Sequence, residues 1–290
     1  MTTSRYSTSD QDITPSLTPD RGWHCSHFYY RWDRQAILDL DFSLGEAAEE
    51  FIELFGPVNV ESGSMEAERF PLRCQMGVVS GDKADFSLMV MDTDPLKIER
   101  LNQKILASQL GTCLDPAYSF VSMSEISEYV PTIEQFSAKL KREGVDPESD
   151  AGRARVQGYA DRLPGMNRHR LSPDFPDWPV SCFYPMNKRR DPGANWFDLP
   201  FSAREEMMSE HARSGIKFLG KVTQLITVGV GIEDWEWGVT LWAKNPQYLK
   251  EIVYAMRFDK ASALYAEFGP FYTSYITDPR SMLQHCQLIG

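Results

Sequence analysis

Two short stretches hold the residues best equipped for chemistry. The first is FSAREEMMSEHARSGIKFLG (201–220), where His211 has Met207 one turn before it, Gly215 one turn after it and Phe218 further along the same stripe. An imidazole on an apolar helix face can ligate a haem iron, and a neighbouring glycine leaves room for a flat macrocycle. A hydrogen-bonded core histidine gives the same pattern, and spacing alone favours it. The second stretch runs from 168 to 190. Arg168, Arg170, Lys188, Arg189 and Arg190 stand there against only Asp174 and Asp177, in a chain of net charge -11. Clustered guanidinium and ammonium groups suit a ligand with several carboxylates. A solvated basic turn explains KRRDPGAN equally well. Tyr184 precedes Lys188 by four residues, so a strand places both side chains on one face.

Other chemistries lack their residues. The histidines are His24, His27, His169, His211 and His285, and no H-E-x-x-H, paired Cys-x-x-Cys or Gly-x-Ser-x-Gly occurs. Zinc proteases, zinc ribbons and nucleophile-elbow hydrolases are therefore unsupported. Strand alternation puts His24 and His27 on opposite faces, which argues against a metal site there. Gly229-Val230-Gly231 lacks the third glycine of a dinucleotide fingerprint and sits at a hairpin, so it reads as a turn.

The elements that must position these residues come in two similar sets. In the first, 22–33 reads as a strand and 42–57 as a helix opened by Ser43 and Glu46. Strands 73–80 and 84–92 flank a hairpin signal at Gly81-Asp82, Asp94-Pro95 starts a helix, and 117–124 closes the set. The second set repeats the order: strand 180–186, helix 201–220 opened by Ser202 and Glu205, strands 222–230 and 235–243, a helix starting at Asn245-Pro246, and strand 270–277. The expectation is an α+β fold of two ferredoxin-like (βαββαβ) domains packed face to face as a dimeric α+β barrel. The domains would be a disordered arm at 1–21, a first unit at 22–125, a helical connection at 126–168 around TIEQFSAKLKREG, a second unit at 169–279 and an irregular tail at 280–290.

With 30 Lys plus Arg against 41 Asp plus Glu, general nucleic-acid binding is disfavoured. No apolar run approaches the roughly 18–20 residues that span a bilayer, and the polar N-terminus lacks the centre of a signal peptide. Five scattered cysteines, an odd number, argue against a disulfide framework and for a reducing cytoplasm.

Several runs taken together carry a more specific signal. FYPMNKRR (183–190) followed by NWF (195–197), then SEHARSGIKFLGKV, EWGVTL and YAMRFD, resembles the chlorite dismutase superfamily and, within it, the coproheme decarboxylases. The likeness is dense from about Arg170 to Phe271; from 22 to 125 it is mainly one of element order. It implies that His211 is the axial ligand of the iron in coproheme III, at once substrate and redox cofactor, and that hydrogen peroxide is the oxidant. Tyr184 would carry a radical that abstracts hydrogen from a propionate β-carbon, carbon dioxide would leave, and two such events would yield haem b. Lys188 would sit by the second propionate. Arg170, Arg257 and Ser262 would hold propionates, and Met186, Trp196 and Trp237 would line the pocket. Gln224 stands where chlorite-degrading relatives have an arginine, so chlorite turnover is the weaker reading. Family members often carry a glutamate at the position of Lys260, which leaves the acid that should support His211 unidentified, with Glu251 a poorly placed substitute.

The resemblance further implies a homopentamer and a transient contact with coproporphyrin ferrochelatase, for which the sequence shows no docking motif. The competing readings are a non-catalytic haem carrier or sensor and a chlorite dismutase-like haem peroxidase. Tyr184 with Lys188 favours the decarboxylase, since a carrier needs only the axial ligand and the propionate clamp.

Overall fold

Asp94 and Asn245 do the same work in the two halves of the chain. Each side chain accepts a hydrogen bond from the backbone two residues on, and each precedes a proline whose fixed φ suits a first helical turn. The structure, a computed structural model, describes residues 14–290; residues 1–13 of the expected arm lie outside them. The first half contains β1 (His24–Trp32), α1 (Arg34–Leu38), α2 (Leu44–Ile52), α3 (Met65–Arg69), β2 (Arg73–Val79), β3 (Phe86–Asp92), α4 (Pro95–Ala107) and β4 (Leu114–Ser124). Helices α5 (Ile133–Arg142) and α6 (Asp150–Leu171) follow. The second half contains β5 (Val180–Lys188), the short β6 (Arg190–Asp191) and β7 (Ala194–Asn195), α7 (Phe201–Ile216), β8 (Val222–Val228), β9 (Trp237–Ala243) and α8 (Pro246–Met256). It ends with α9 (Lys260–Tyr265), β10 (Ala266–Phe268), β11 (Tyr272–Thr277) and α10 (Pro279–His285).

Each half builds an antiparallel sheet in the same order, β4-β1-β3-β2 and β11-β5-β9-β8. The halves do more than face each other. β11 pairs with β2, and β4 pairs with β8 at Met123↔Val228 and Ser124↔Thr227, so the two sheets join edge to edge into a closed barrel. Closure removes the exposed edges that two open sheets would leave. Strand alternation then sorts the core. Phe51, Phe86, Leu88, Ile98 and Ile105 fill the space under the first set of helices. Tyr29, Phe120, Phe183, Met91 and Trp242 point into the barrel. Val180, Tyr184, Val239, Leu241, Leu249 and Ile252 pack under the second set. Each such side chain contributes roughly 1.5–3 kcal/mol by leaving water.

Four expectations change. Ser202 and Glu205 do not open α7, because Pro200 holds the N-cap position and the amides of Ala203 and Arg204 both donate to its carbonyl. That helix stops at Ile216, before Gly220 turns the chain at φ 77°. The Gly81-Asp82 hairpin has a longer connection, since β2 ends at Val79 and β3 starts at Phe86. The tail is not irregular: Asp278 caps α10, and Met282 and Leu283 are fully buried in the first core.

Candidate active site

β5 carries the first part of the site. Tyr184 and Lys188 lie on its helix-covered face, and both are buried. The Tyr184 ring stacks on Phe271 at 4.4 Å and meets Phe268 edge-on at 5.7 Å. Its hydroxyl donates to no protein group among the described residues, and burial pushes the phenol up. Lys188 Nζ donates to the Ala261 carbonyl at 3.1 Å and lies 4.3 Å from the centre of the Trp196 ring. Burial lowers its pKa from the usual 10.5 to about 8, against the opposing charges of Asp259 and Glu236.

α7 carries the second part. His211 Nδ1 donates to Asp259 Oδ2 at 2.9 Å, with Ser262 Oγ at 3.4 Å. The carboxylate can only accept, so Nδ1 carries a proton and Nε2 is the ring nitrogen left without a protein partner among the described residues. The Asp259 side chain is 1% exposed and does two jobs, because its Oδ1 accepts from Ser262 N at 2.9 Å as the N-cap of α9. α9 reaches this spot because β10 pairs with the end of β5, Ala266↔Lys188, and Arg189 N donates to the Tyr265 carbonyl.

Asp259 therefore answers the question left by Lys260. The supporting acid sits one position earlier than expected, and Glu251 is occupied with Gln247. Its signal was present in the sequence as Asp259-Lys260-Ala261-Ser262, an N-cap aspartate with a partner three residues on. At Gly215 a Cβ would lie 2.9 Å from Met256 Cε, the mobile end of a side chain on α8, so α7 and α8 pack closely there.

The remaining candidates divide. Arg257, at the end of α8, lies 6.0 Å from the centre of the Phe268 ring that borders Tyr184. Met186 is partly buried and packs against the same core. Trp237 is half-buried opposite Met186 on β9. Gln224 is exposed and shares the helix-side face, two strands from Cys182 through Leu241, or about 10 Å at ordinary strand spacing. Ser262 bonds toward His211. No hydrogen bond or ion pair joins Arg170 to these groups; its guanidinium donates back to the Met166 carbonyl in α6. Arg190 pairs with the buried Glu236, which also accepts from Lys188 N at 2.8 Å, so that part of the basic cluster is already neutralised.

Beside this site the helix-side face of β8 is uncovered. Ile226 is 40% exposed there, and Ile216 and Leu219, where α7 runs into β8, are 66% and 83% exposed. A cavity of about 320 Å³ adjoins it, lined by Gln224, Leu219, Val222, Thr223, His169 and Trp178. An imidazole with a free Nε2, an open apolar floor and a buried ammonium fit an iron porphyrin with carboxylate arms. His27 belongs elsewhere: it is buried in the barrel, with Nε2 2.8 Å from Thr240 Oγ1 and its ring stacked on Phe183 at 4.1 Å. His24 bonds the Leu17 carbonyl on the other face. All five cysteines are buried and unpaired.

A closed barrel of two ferredoxin-like halves, with a carboxylate-held histidine on a helix of the second half, defines the class. Residues 45–277 match the chlorite dismutase family, and the chain belongs to it. A coproheme decarboxylase from Oceanobacillus iheyensis is 35% identical over 210 residues, 72% of this chain and 75% of that protein. A haem-binding protein from Thermus thermophilus superposes with a TM-score of 0.73 at 30% identity, covering 92% of this chain and 95% of that one. A chlorite dismutase from Candidatus Nitrospira defluvii superposes at 0.66 with 18% identity, over 93% and 97% of the two chains, a likeness of fold. Among the described residues no helix is long and apolar enough to cross a membrane.

Proposed function

We propose that this protein decarboxylates two propionates of coproheme III to vinyl groups with hydrogen peroxide, yielding haem b. The observation that carries the reading is the pairing of Tyr184 and Lys188 on one face of β5, with Lys188 beside the aspartate that holds His211. The relative named as a coproheme decarboxylase supports the same reading. When bound, the substrate's iron supplies the oxidising chemistry with peroxide.

The protein's own groups do the rest. Asp259 fixes the His211 tautomer and strengthens Nε2 as a donor to iron. Tyr184 gives up a hydrogen atom and takes one back from the β-carbon of a propionate, after which carbon dioxide leaves. Each event consumes one propionate, one peroxide and one proton and releases one vinyl group, one carbon dioxide and two waters. Phe271 and Phe268 cover the Tyr184 ring and leave its hydroxyl open to the cleft. Lys188 holds a carboxylate through its ammonium, and Arg257 and Ser262 are placed to hold others. Gln224 offers peroxide a neutral hydrogen bond. A homopentamer, a cytoplasmic setting and a contact with coproporphyrin ferrochelatase belong to the same proposal.

Tyr184→Phe tests it against a carrier. The variant is expected to bind coproheme as the parent does while haem b formation falls by more than about 100-fold, the scale of loss for a group acting only in the transition state. Unchanged haem b formation would remove Tyr184 from the mechanism.

A further inference from the structure

Behind Tyr184, on the inner face of the barrel, three phenols lie in contact. Tyr29 and Tyr272 have ring centres 4.1 Å apart, and Tyr272 lies nearly parallel to Tyr118 at 5.2 Å and 12°. Tyr29 and Tyr118 are 6.0 Å apart. Two phenylalanines link Tyr184 to this group, one by ring contact and one along the chain. Phe271 stacks on Tyr184 and precedes Tyr272 in the chain. Phe183 precedes Tyr184, is the register partner of Tyr272, and lies 6.1, 6.4 and 6.5 Å from Tyr29, Tyr118 and Tyr272.

None of the three hydroxyls donates to a protein group among the described residues, and none is among the buried polar atoms left without a partner, so none is sealed from solvent. A stack of phenols, unlike a stack of phenylalanines, can pass on a one-electron oxidation. The group also has an outlet. Tyr118 is half-buried on β4, where Val121 N donates to Glu233 Oε2 at 3.0 Å, and its phenol is raised first by burial and then by the Glu233 carboxylate. Lys83 sits over Tyr272 at 5.3 Å.

We propose that Tyr272, Tyr29 and Tyr118 form a redox-active relay that drains an oxidising equivalent from Tyr184 to the barrel mouth when no propionate is there to react. The relay rests on the Tyr184 reading above. One electron passes from Tyr118 through Tyr272 to the Tyr184 radical. Tyr184 recovers its phenolic proton from water in the cleft, and Tyr118 releases its own proton to Glu233 and then solvent. No bond between heavy atoms forms or breaks. The radical left on Tyr118 is reduced by a small diffusible reductant such as a thiol or ascorbate. The relay would protect bound product, which has lost the propionates that consume the oxidant.

The test loads the full chain with haem b and adds peroxide with a nitroso spin trap, and the labelled tyrosine is found by peptide mass spectrometry. The expected label is on Tyr118. In Tyr272→Phe, which removes only an unpartnered hydroxyl, that label falls to background, label accumulates on Tyr184 and the porphyrin bleaches faster, while conversion of coproheme to haem b is unchanged. In Tyr184→Phe the Tyr118 label is also lost. Persistence of the Tyr118 label in Tyr272→Phe would overturn the relay. So would its persistence in a Tyr184→Phe variant that no longer decarboxylates coproheme, which leaves the catalytic reading intact. A Tyr184→Phe variant that still makes haem b would instead overturn the catalytic reading and the relay with it.

Discussion

His211 Nδ1 and Asp259 Oδ2 are 2.9 Å apart, and the same aspartate caps the helix that brings Ser262 and Ala261 to the site. Axial-ligand support and local folding thus share one carboxylate. Asp259→Asn keeps the N-cap, since asparagine caps helices nearly as well, but removes the charge behind the imidazole. Loss of such a partner typically costs 10–100-fold in metal affinity or activity. The expected result is porphyrin affinity or turnover reduced by about that factor with little change in melting temperature, measured by titration and calorimetry. Lys260→Glu, which restores the acid usual in relatives, should not rescue it.

Lys188 sets a pH dependence. Its pKa is lowered to about 8, so the free protein loses this ammonium as pH rises through 8, well before an ordinary lysine would. Coproheme affinity should fall across that interval. Lys188→Met should bind more weakly at pH 7 and show no step near 8. The unfolded chain holds this proton up to about 10.5, so the buried lysine disfavours folding below pH 8, and that penalty fades as pH rises from 8 toward 10.5.

His27 controls acid stability from inside the barrel. Burial lowers its pKa from 6.5 to about 3, and its Nδ1 has no partner. Below pH 6.5 the unfolded chain binds a proton that the folded chain rejects, so stability falls as pH drops from 6.5 toward 3. Urea midpoints measured across this range should decline less steeply in His27→Leu than in the parent, whatever the variant's stability at neutral pH.

The chain's last helix is part of the first core. Met282 is fully buried among residues of α2 and β2, and Met282→Ala should cost about 2–5 kcal/mol in denaturant unfolding. A loss near zero would mean that α10 is not packed as described.

Much of this was legible because periodicity and punctuation agree. The Asp94-Pro95 and Asn245-Pro246 signals mark true helix starts, and alternation along β5 places Tyr184 with Lys188. What stayed hidden had weak local signals. α6 contains Pro164 and several glycines and buries only Gly152 and Tyr159, so no apolar stripe announces its 22 residues. The barrel itself was expected, but the edges that close it, β11 on β2 and β4 on β8, join distant segments, which no local pattern encodes. Asp259 escaped notice because its role depends on β10 docking against β5, a contact across the fold.

The most direct test of the central claim is anaerobic loading of the apoprotein with coproheme, followed by a peroxide titration read by mass spectrometry of the porphyrin. The expected result is stepwise loss of two carboxyl groups, through a three-propionate intermediate to haem b, at one peroxide per step. Tight binding with bleaching alone, or with no loss of carboxyl groups, would contradict it.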